Sequence, residues 1–202
     1  LMENAGRAVA EAIVARFPQG PVSVLCGPGN NGGDGYAVAR LLSNDGFETH
    51  VVALAPPRPD SDAETNATIW NNMGGATEGP EALRDLLLRP GIAIDAMFGT
   101  GLDRPLDGVA ADLVGLLNNS NAPILAVDLP SGLDADTGKP LGPCVRAERT
   151  VTFVAPKPAM LVIEATPWIG EFAVGDIGTP PELLKALGRE VTMPSNSGPY
   201  TP

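Results

Sequence analysis

The sequence predicts an α/β protein: a Rossmann-like three-layer α/β/α sandwich around a mainly parallel sheet. Three observations carry that expectation. Short apolar runs alternate with amphipathic stretches along most of the chain, the pattern of strands connected by crossover helices. The first run enters a Gly-rich loop and then a helix. Two later runs also end in polar, Gly-containing loops, as strands do at the ligand-binding edge of a parallel sheet.

Taken in order, residues 2–16 read as a helix, because Met2, Ala5, Val9, Ala12 and Ile13 recur at helical spacing and Pro18 stops the pattern. Residues 22–26 form a buried strand that runs into Gly27-Pro28-Gly29-Asn30-Asn31-Gly32-Gly33-Asp34-Gly35 and a helix to about Leu42. Gly46 ends that helix, and residues 49–55 form the second strand. A Pro-rich loop over 56–62 precedes a helix at 63–73, then Gly74-Gly75 and a short helix near 80–88. The third strand, 92–98, enters Gly99-Thr100-Gly101; a helix follows at 108–118; the fourth strand, 124–128, enters Pro130-Ser131-Gly132. Residues 150–154 and 172–174 read as further strands and 181–187 as a last short helix. Residues 1–190 are expected to form one domain, with 191–202 a flexible tail or the start of a linker, since Ser, Asn, Pro and Gly dominate there. The chain opens inside a helical pattern with no capping residue, which points to residues missing upstream.

Composition narrows the function. Hydrophobic residues are 44% and charged residues 18% of 202, enough for a full core without disulfide or metal staples. The net charge is −11 and no two Lys or Arg are adjacent, which argues against nucleic acid as a partner. An acidic protein that binds an anion must use backbone N–H groups and a few placed cations. No apolar run approaches the roughly 20 residues of a membrane span. Cys26 and Cys144 lack metal-ligand or redox spacing; Cys26, in an apolar run, reads as a buried small hydrophobe, and the pair points to a reducing, cytoplasmic setting.

The loop at 27–35 holds five glycines in nine residues, beyond the needs of an ordinary turn. Such a loop brings backbone N–H groups at a helix start toward an anion. It satisfies G-x-G-x-x-G, yet the second strand ends Ala53-Leu54-Ala55, without the carboxylate that holds a ribose in dehydrogenases. No Gly-Lys-Ser/Thr follows, so it is not a P-loop. Asp95, Asp128 and Ser131 reach the same edge from the third and fourth strands. Each could simply cap a turn, but three together at one edge are better read as a site. His50, the sole histidine, starts the second strand and so belongs to the far edge. The lack of a placed His or a Cys pair argues against zinc and Ser-His-Asp chemistries. The oxygen-only donors suit a hard cation, and the scarcity of carboxylates favours a monovalent one.

These segments resemble the NAD(P)H-hydrate epimerase family, the YjeF N-terminal domain, from Met2-Glu3-Asn4-Ala5-Gly6 through residues 27–35, 95–105 and 127–132 to 150–158. The resemblance implies a homodimer that interconverts the R and S hydrates of NADH and NADPH (NADHX and NADPHX), feeding a dehydratase domain or protein. Carried over by motif, Asn30, Asn31, Gly32, Gly33 and Asp34 contact the hydrated dinucleotide. Gly99, Thr100, Gly101, Leu102, Asp103, Arg104 and Pro105 cradle its phosphates, with Arg104 at the pyrophosphate. Asp128 approaches the nicotinamide and is the expected acid/base residue; Lys157 is the second candidate, against a reading as a solvated surface lysine. Asn31, Asp95 and Ser131 match positions that bind K⁺ in the family. The family's further N-terminal helix is absent, and residues from 194 resemble the linker of bifunctional members, so the chain reads as an excised epimerase half. The competing reading is a non-catalytic nucleotide-binding or interaction module. A dehydrogenase is disfavoured by the missing ribose carboxylate.

Overall fold

The computed structural model describes residues 1–189 and 192. Its elements are α1 (Met2–Val14), β1 (Pro21–Cys26), α2 (Asn30–Asn44), β2 (Glu48–Ala53), α3 (Asp62–Asn72), β3 (Thr77–Glu78), α4 (Leu83–Leu86), β4 (Ile92–Ala96), α5 (Gly108–Asn118), β5 (Ile124–Val127), β6 (Arg149–Phe153), α6 (Thr166–Ile169), β7 (Glu171–Gly175) and α7 (Pro181–Leu187). The seven strands form one sheet in the order β3-β2-β1-β4-β5-β6-β7, every pair parallel. The order reverses between β1 and β4, whose outgoing chains diverge and leave a crevice at their carboxyl ends, where ligands bind in open α/β sheets.

Strand alternation sends Val22, Val24 and Cys26 of β1 and Ile92, Ile94 and Ala96 of β4 to one face, under α1, α2 and α3. Leu25, Val52, Ala93 and Ala126 face the other side, against Leu83 of α4 and Leu113, Val114 and Leu117 of α5. Beyond β5, Leu129, Leu133, Met160, Ile169 and Phe172 close a smaller core. The three layers are those the sequence predicts, and the sheet is wholly rather than mainly parallel.

Several boundaries differ from expectation. The second and third strands end at Ala53 and Ala96, two residues early, because Leu54, Met97 and Phe98 already belong to the loops at the ligand edge. Asp128 lies one residue past β5 with φ +66°, outside strand geometry. The two-residue β3 is too short to show alternation. The helix expected near 80–88 is a 3₁₀ turn (Pro80–Ala82) followed by the single-turn α4. The turns Pro158–Leu161 and Ile163–Ala165 and α6 were unforeseen, since one-turn helices carry no period to detect. Of the predicted tail only Thr192 is described; the rest lies outside the described residues. No helix among the described residues is long and apolar enough to cross a membrane.

The glycines of the first loop hold the layers together. A Cβ on Gly32 would lie 1.8 Å from the Gly27 carbonyl oxygen, and one on Gly35 would lie 2.7 Å from Ala96 Cβ and 2.8 Å from Cys26 Sγ. Helix α2 therefore seats directly on β1 and β4. Gly35→Ala is expected to destabilise the protein by about 1–3 kcal/mol, the usual range for overpacking. Urea denaturation of the two proteins measures the difference, and an unchanged midpoint would contradict the close seating.

Candidate active site

Three strand ends build the site. From β1, Gly29 caps α2 with no side-chain bond, and no acidic residue sits in the helix's first turn. The leading N–H groups of α2 thus present partial positive charge to the crevice. Gly29 is the one glycine of this loop with open space around its Cβ position; Gly27, Gly32, Gly33 and Gly35 each meet protein atoms there. The expectation that the glycines make room for a ligand therefore applies at Gly29, whereas the other four make room for the protein itself.

From β4, Asp95 is fully buried and faces Ser131, also fully buried, in the loop after β5. Asp95 Oδ2 accepts from the Ser131 backbone N–H at 2.7 Å, and Oδ1 accepts from Ser131 Oγ at 2.6 Å and from the Met97 N–H at 3.2 Å. Ser131 Oγ in turn accepts from the Phe98 N–H at 2.9 Å. Asp95 does cap its own turn, as the simpler reading had it, and also fastens the β4 loop to the β5 loop. Burial pushes its carboxyl up to about 6, against the opposing pull of the Ser131 and Met97 donors.

From β5, Asp128 is brought over the crevice by its left-handed backbone, which asparagine and aspartate tolerate better than other side chains. Its N–H donates to the Val151 carbonyl at 2.8 Å. Oδ1 receives Lys157 Nζ at 2.9 Å and Thr152 Oγ1 at 3.2 Å, and Oδ2 receives the Thr100 N–H at 3.5 Å. Lys157 also donates to the Phe153 carbonyl at 2.9 Å and is only 20% exposed. It is therefore not a solvated surface lysine. Thr152 and Lys157 both come from the carboxyl end of β6, a fourth contributor, of which the sequence offers Lys157 as a candidate and does not single out Thr152.

The cleft so formed has a volume of about 420 Å³ and is lined by both the first loop and the β4 loop. Asn30, Asn31, Asp34, Gly99, Thr100, Gly101, Leu102 and Asp128 lie on its wall. Gly32 and Gly33 are buried beneath it in α2, and Asp103, Arg104 and Pro105 are exposed outside its lining. Arg58 and Ser61, from the loop after β2, complete the wall and were not singled out from the sequence. Gly99 packs between two polar groups: a Cβ there would lie 2.9 Å from Asp128 Oδ2 and 3.2 Å from Asn31 Oδ1.

The cleft wall carries an unsatisfied polar side chain. The Asn31 side-chain Oδ1 and Nδ2 are both buried without a hydrogen-bond partner among the described residues, and a buried amide in that state calls for a ligand or an ion. Asp95 and Ser131, which bond to each other, lie buried outside the cleft lining; with Asn31 their donor atoms are an amide, a carboxylate and a hydroxyl, all-oxygen chemistry of the kind a hard cation takes. Among the described residues no cluster of three or more His, Cys, Asp or Glu could hold a metal. His50 lies elsewhere, bonded to Glu48 and Glu78, and both cysteines are free and buried.

The fold and cleft define an open α/β domain with a polar cleft at a sheet switch point and a carboxylate over one end of it. The YjeF-related protein N-terminus family matches residues 1–159, and the chain belongs to that family. The chain is 43% identical over 196 residues to the bifunctional NAD(P)H-hydrate repair enzyme Nnr of Moorella thermoacetica, spanning 91% of this chain and 37% of that protein. It therefore covers under two-fifths of that relative's length. Against the NAD(P)H-hydrate epimerase of Rhodopirellula baltica it is 41% identical, over 92% of this chain and 77% of the relative. Against that of Bordetella pertussis it is 41% identical, over 93% and 84%. The crystal structure of the yeast protein YNL200c aligns with TM-score 0.83 at 26% identity, covering 94% of this chain and 84% of the yeast chain.

Asp34 generates a pH prediction. Burial first, and the nearby Asp128 charge second, push its carboxyl up to about 7, against a weaker pull from the chain's amino group. A carboxyl raised on folding adds stability below its unfolded value near 4, and that contribution is lost as pH rises through 7. Asp34→Asn is thus expected to raise Tm by several degrees at pH 8 and to change it little at pH 4. Thermal melts across that range read the effect; a gain at pH 4 alone would reverse the sign.

Proposed function

We propose that this chain interconverts the R and S forms of hydrated NADH and NADPH, the substrates named by its epimerase relatives. The observation that carries the reading is the Asp128 arrangement: one carboxylate oxygen is held by Lys157 and Thr152 while the other faces Gly99 and Thr100 across the cleft. That is how a proton carrier is fixed beside a bound ligand. The uncapped start of α2 suits the pyrophosphate.

Epimerisation occurs at C6 of the hydrate, a carbon bearing both the ring nitrogen and a hydroxyl. The nitrogen lone pair can expel the hydroxyl as water to leave a planar iminium, or the ring can open to an aldehyde. Both routes erase the stereocentre, and both need one group to carry a proton to and from the C6 oxygen. Asp128 takes that role and Lys157 orients it. The unpartnered Asn31 amide would bond the bound ligand or ion.

Asn31, Asp95 and Ser131 would hold K⁺. When bound, the cation neutralises local negative charge and fixes the loops. The reading extends to a homodimer and to a dehydratase, on the same polypeptide or another, that consumes one epimer; the word bifunctional in the relatives' name supports the latter. A reducing, cytoplasmic setting suits two unpaired thiols.

Two outcomes follow. Asp128→Asn, which keeps the backbone conformation, is expected to slow R/S exchange by about a hundredfold or more while leaving dinucleotide affinity within a few-fold. Chromatographic separation of the epimers over time measures it, and near-normal exchange with intact binding would remove Asp128 from the role. Replacing KCl with NaCl at equal ionic strength is expected to lower Tm by a few degrees, and Asn31→Ala to abolish that difference. Equal melting in both salts would remove the cation.

A further inference from the structure

We infer that Arg58 reads the adenosine end of the ligand, holds the 2′-phosphate of a phosphorylated dinucleotide, and makes NADPHX the preferred substrate. The inference rests on the epimerase reading and adds which of its two substrates the site is built for.

Direction comes from the sheet. In the order β2-β1-β4-β5, the first turn of α2 leaves β1 at the centre of the crevice and Asp128 stands past β5. With the pyrophosphate at α2 and the nicotinamide at Asp128, the adenosine half must extend the other way, over the end of β2. In doubly wound folds the residue just past β2 meets the adenosine ribose: a carboxylate there binds free hydroxyls, whereas an arginine accommodates a 2′-phosphate. Here β2 runs out through Ala53-Leu54-Ala55, and the first charged residue beyond is Arg58.

The loop is set for the purpose. Arg58 sits in Pro56-Pro57-Arg58-Pro59, where three ring-locked φ angles stiffen an otherwise open connection. Its backbone N–H donates to the Pro28 carbonyl at 3.1 Å, which ties this loop to the glycine loop of β1. Its guanidinium is exposed and has no hydrogen-bond or ion-pair partner among the described residues. It is also the one cationic side chain on the cleft wall among the described residues, which otherwise carries Asp34 and Asp128. Ser61, on the same wall, can add a hydroxyl, while its acidic neighbours Asp60 and Asp62 stay off the wall. On a chain of net charge −11, a ligand bearing an extra phosphate is repelled unless one placed cation meets it, and arginine's planar fork matches a phosphate.

The test measures kcat/KM for R/S exchange of NADPHX and NADHX with the wild-type chain and with Arg58→Ala. The wild type is expected to favour NADPHX about tenfold, and the variant to lose that ratio through a raised KM for NADPHX, with kcat little affected. An equal loss on both substrates would place Arg58 at the shared pyrophosphate and overturn the inference, as would an unaltered ratio. Calorimetry with adenosine 2′,5′-bisphosphate and with 5′-AMP reads the same contact without turnover. The wild type should bind the bisphosphate about tenfold tighter and Arg58→Ala should erase the difference. If neither hydrate is epimerised, the function fails while the calorimetry still decides Arg58.

Discussion

The site depends on one buried carboxylate. Asp95 is removed from water at the carboxyl end of β4, and such a group is tolerable only when donors surround it. Two of its three donors come from Ser131, so the price of burying Asp95 is met by fixing the loop after β5 against the loop after β4. That clamp sets where Pro130 and Gly132 run, and hence where Asp128 emerges. It equally positions Phe98 and Gly99, which form the floor opposite Asn31. Without it the crevice would still exist, because strand order creates it, but its two walls would have no fixed separation.

A division of labour follows along the sheet edge. The β1 end supplies backbone amides and an unpartnered asparagine, groups that bind without titrating. The β5 and β6 ends supply the charged pair Asp128–Lys157, groups that can move or steer a proton. On the proposed function, binding and chemistry would fall to strands on opposite sides of the switch point, with a long ligand lying across it.

Much of this was legible in the residues. Period and punctuation located the helices over 108–118 and 181–187 to the residue, because each begins and ends at a Gly, Pro or Asn boundary. The three converging loops were readable because strand polarity alone puts their ends on one edge. What escaped notice has physical reasons. Lys157 is a second candidate in the sequence, but that it is paired rather than solvated has no local sign, since Asp128 is distant in sequence and meets it only through the β5–β6 register. Arg58 lies in a Pro-rich loop that looks like plain connection until its backbone bond to Pro28 is seen. The glycines misled in emphasis: a motif remembered for ligand contact here mostly answers to helix–sheet distance, which sequence does not display.

The left-handed backbone of Asp128 bears on how such domains can change over time. Few residues sit comfortably at that φ, so most substitutions there would damage the fold and the chemistry together and be discarded. Asparagine and glycine are the exceptions, keeping the turn while discarding the carboxylate proposed to carry the proton. A lineage that retired the reaction but kept the domain as a scaffold would therefore tend to leave one of those two residues at this position, a fossil of lost activity readable without any assay.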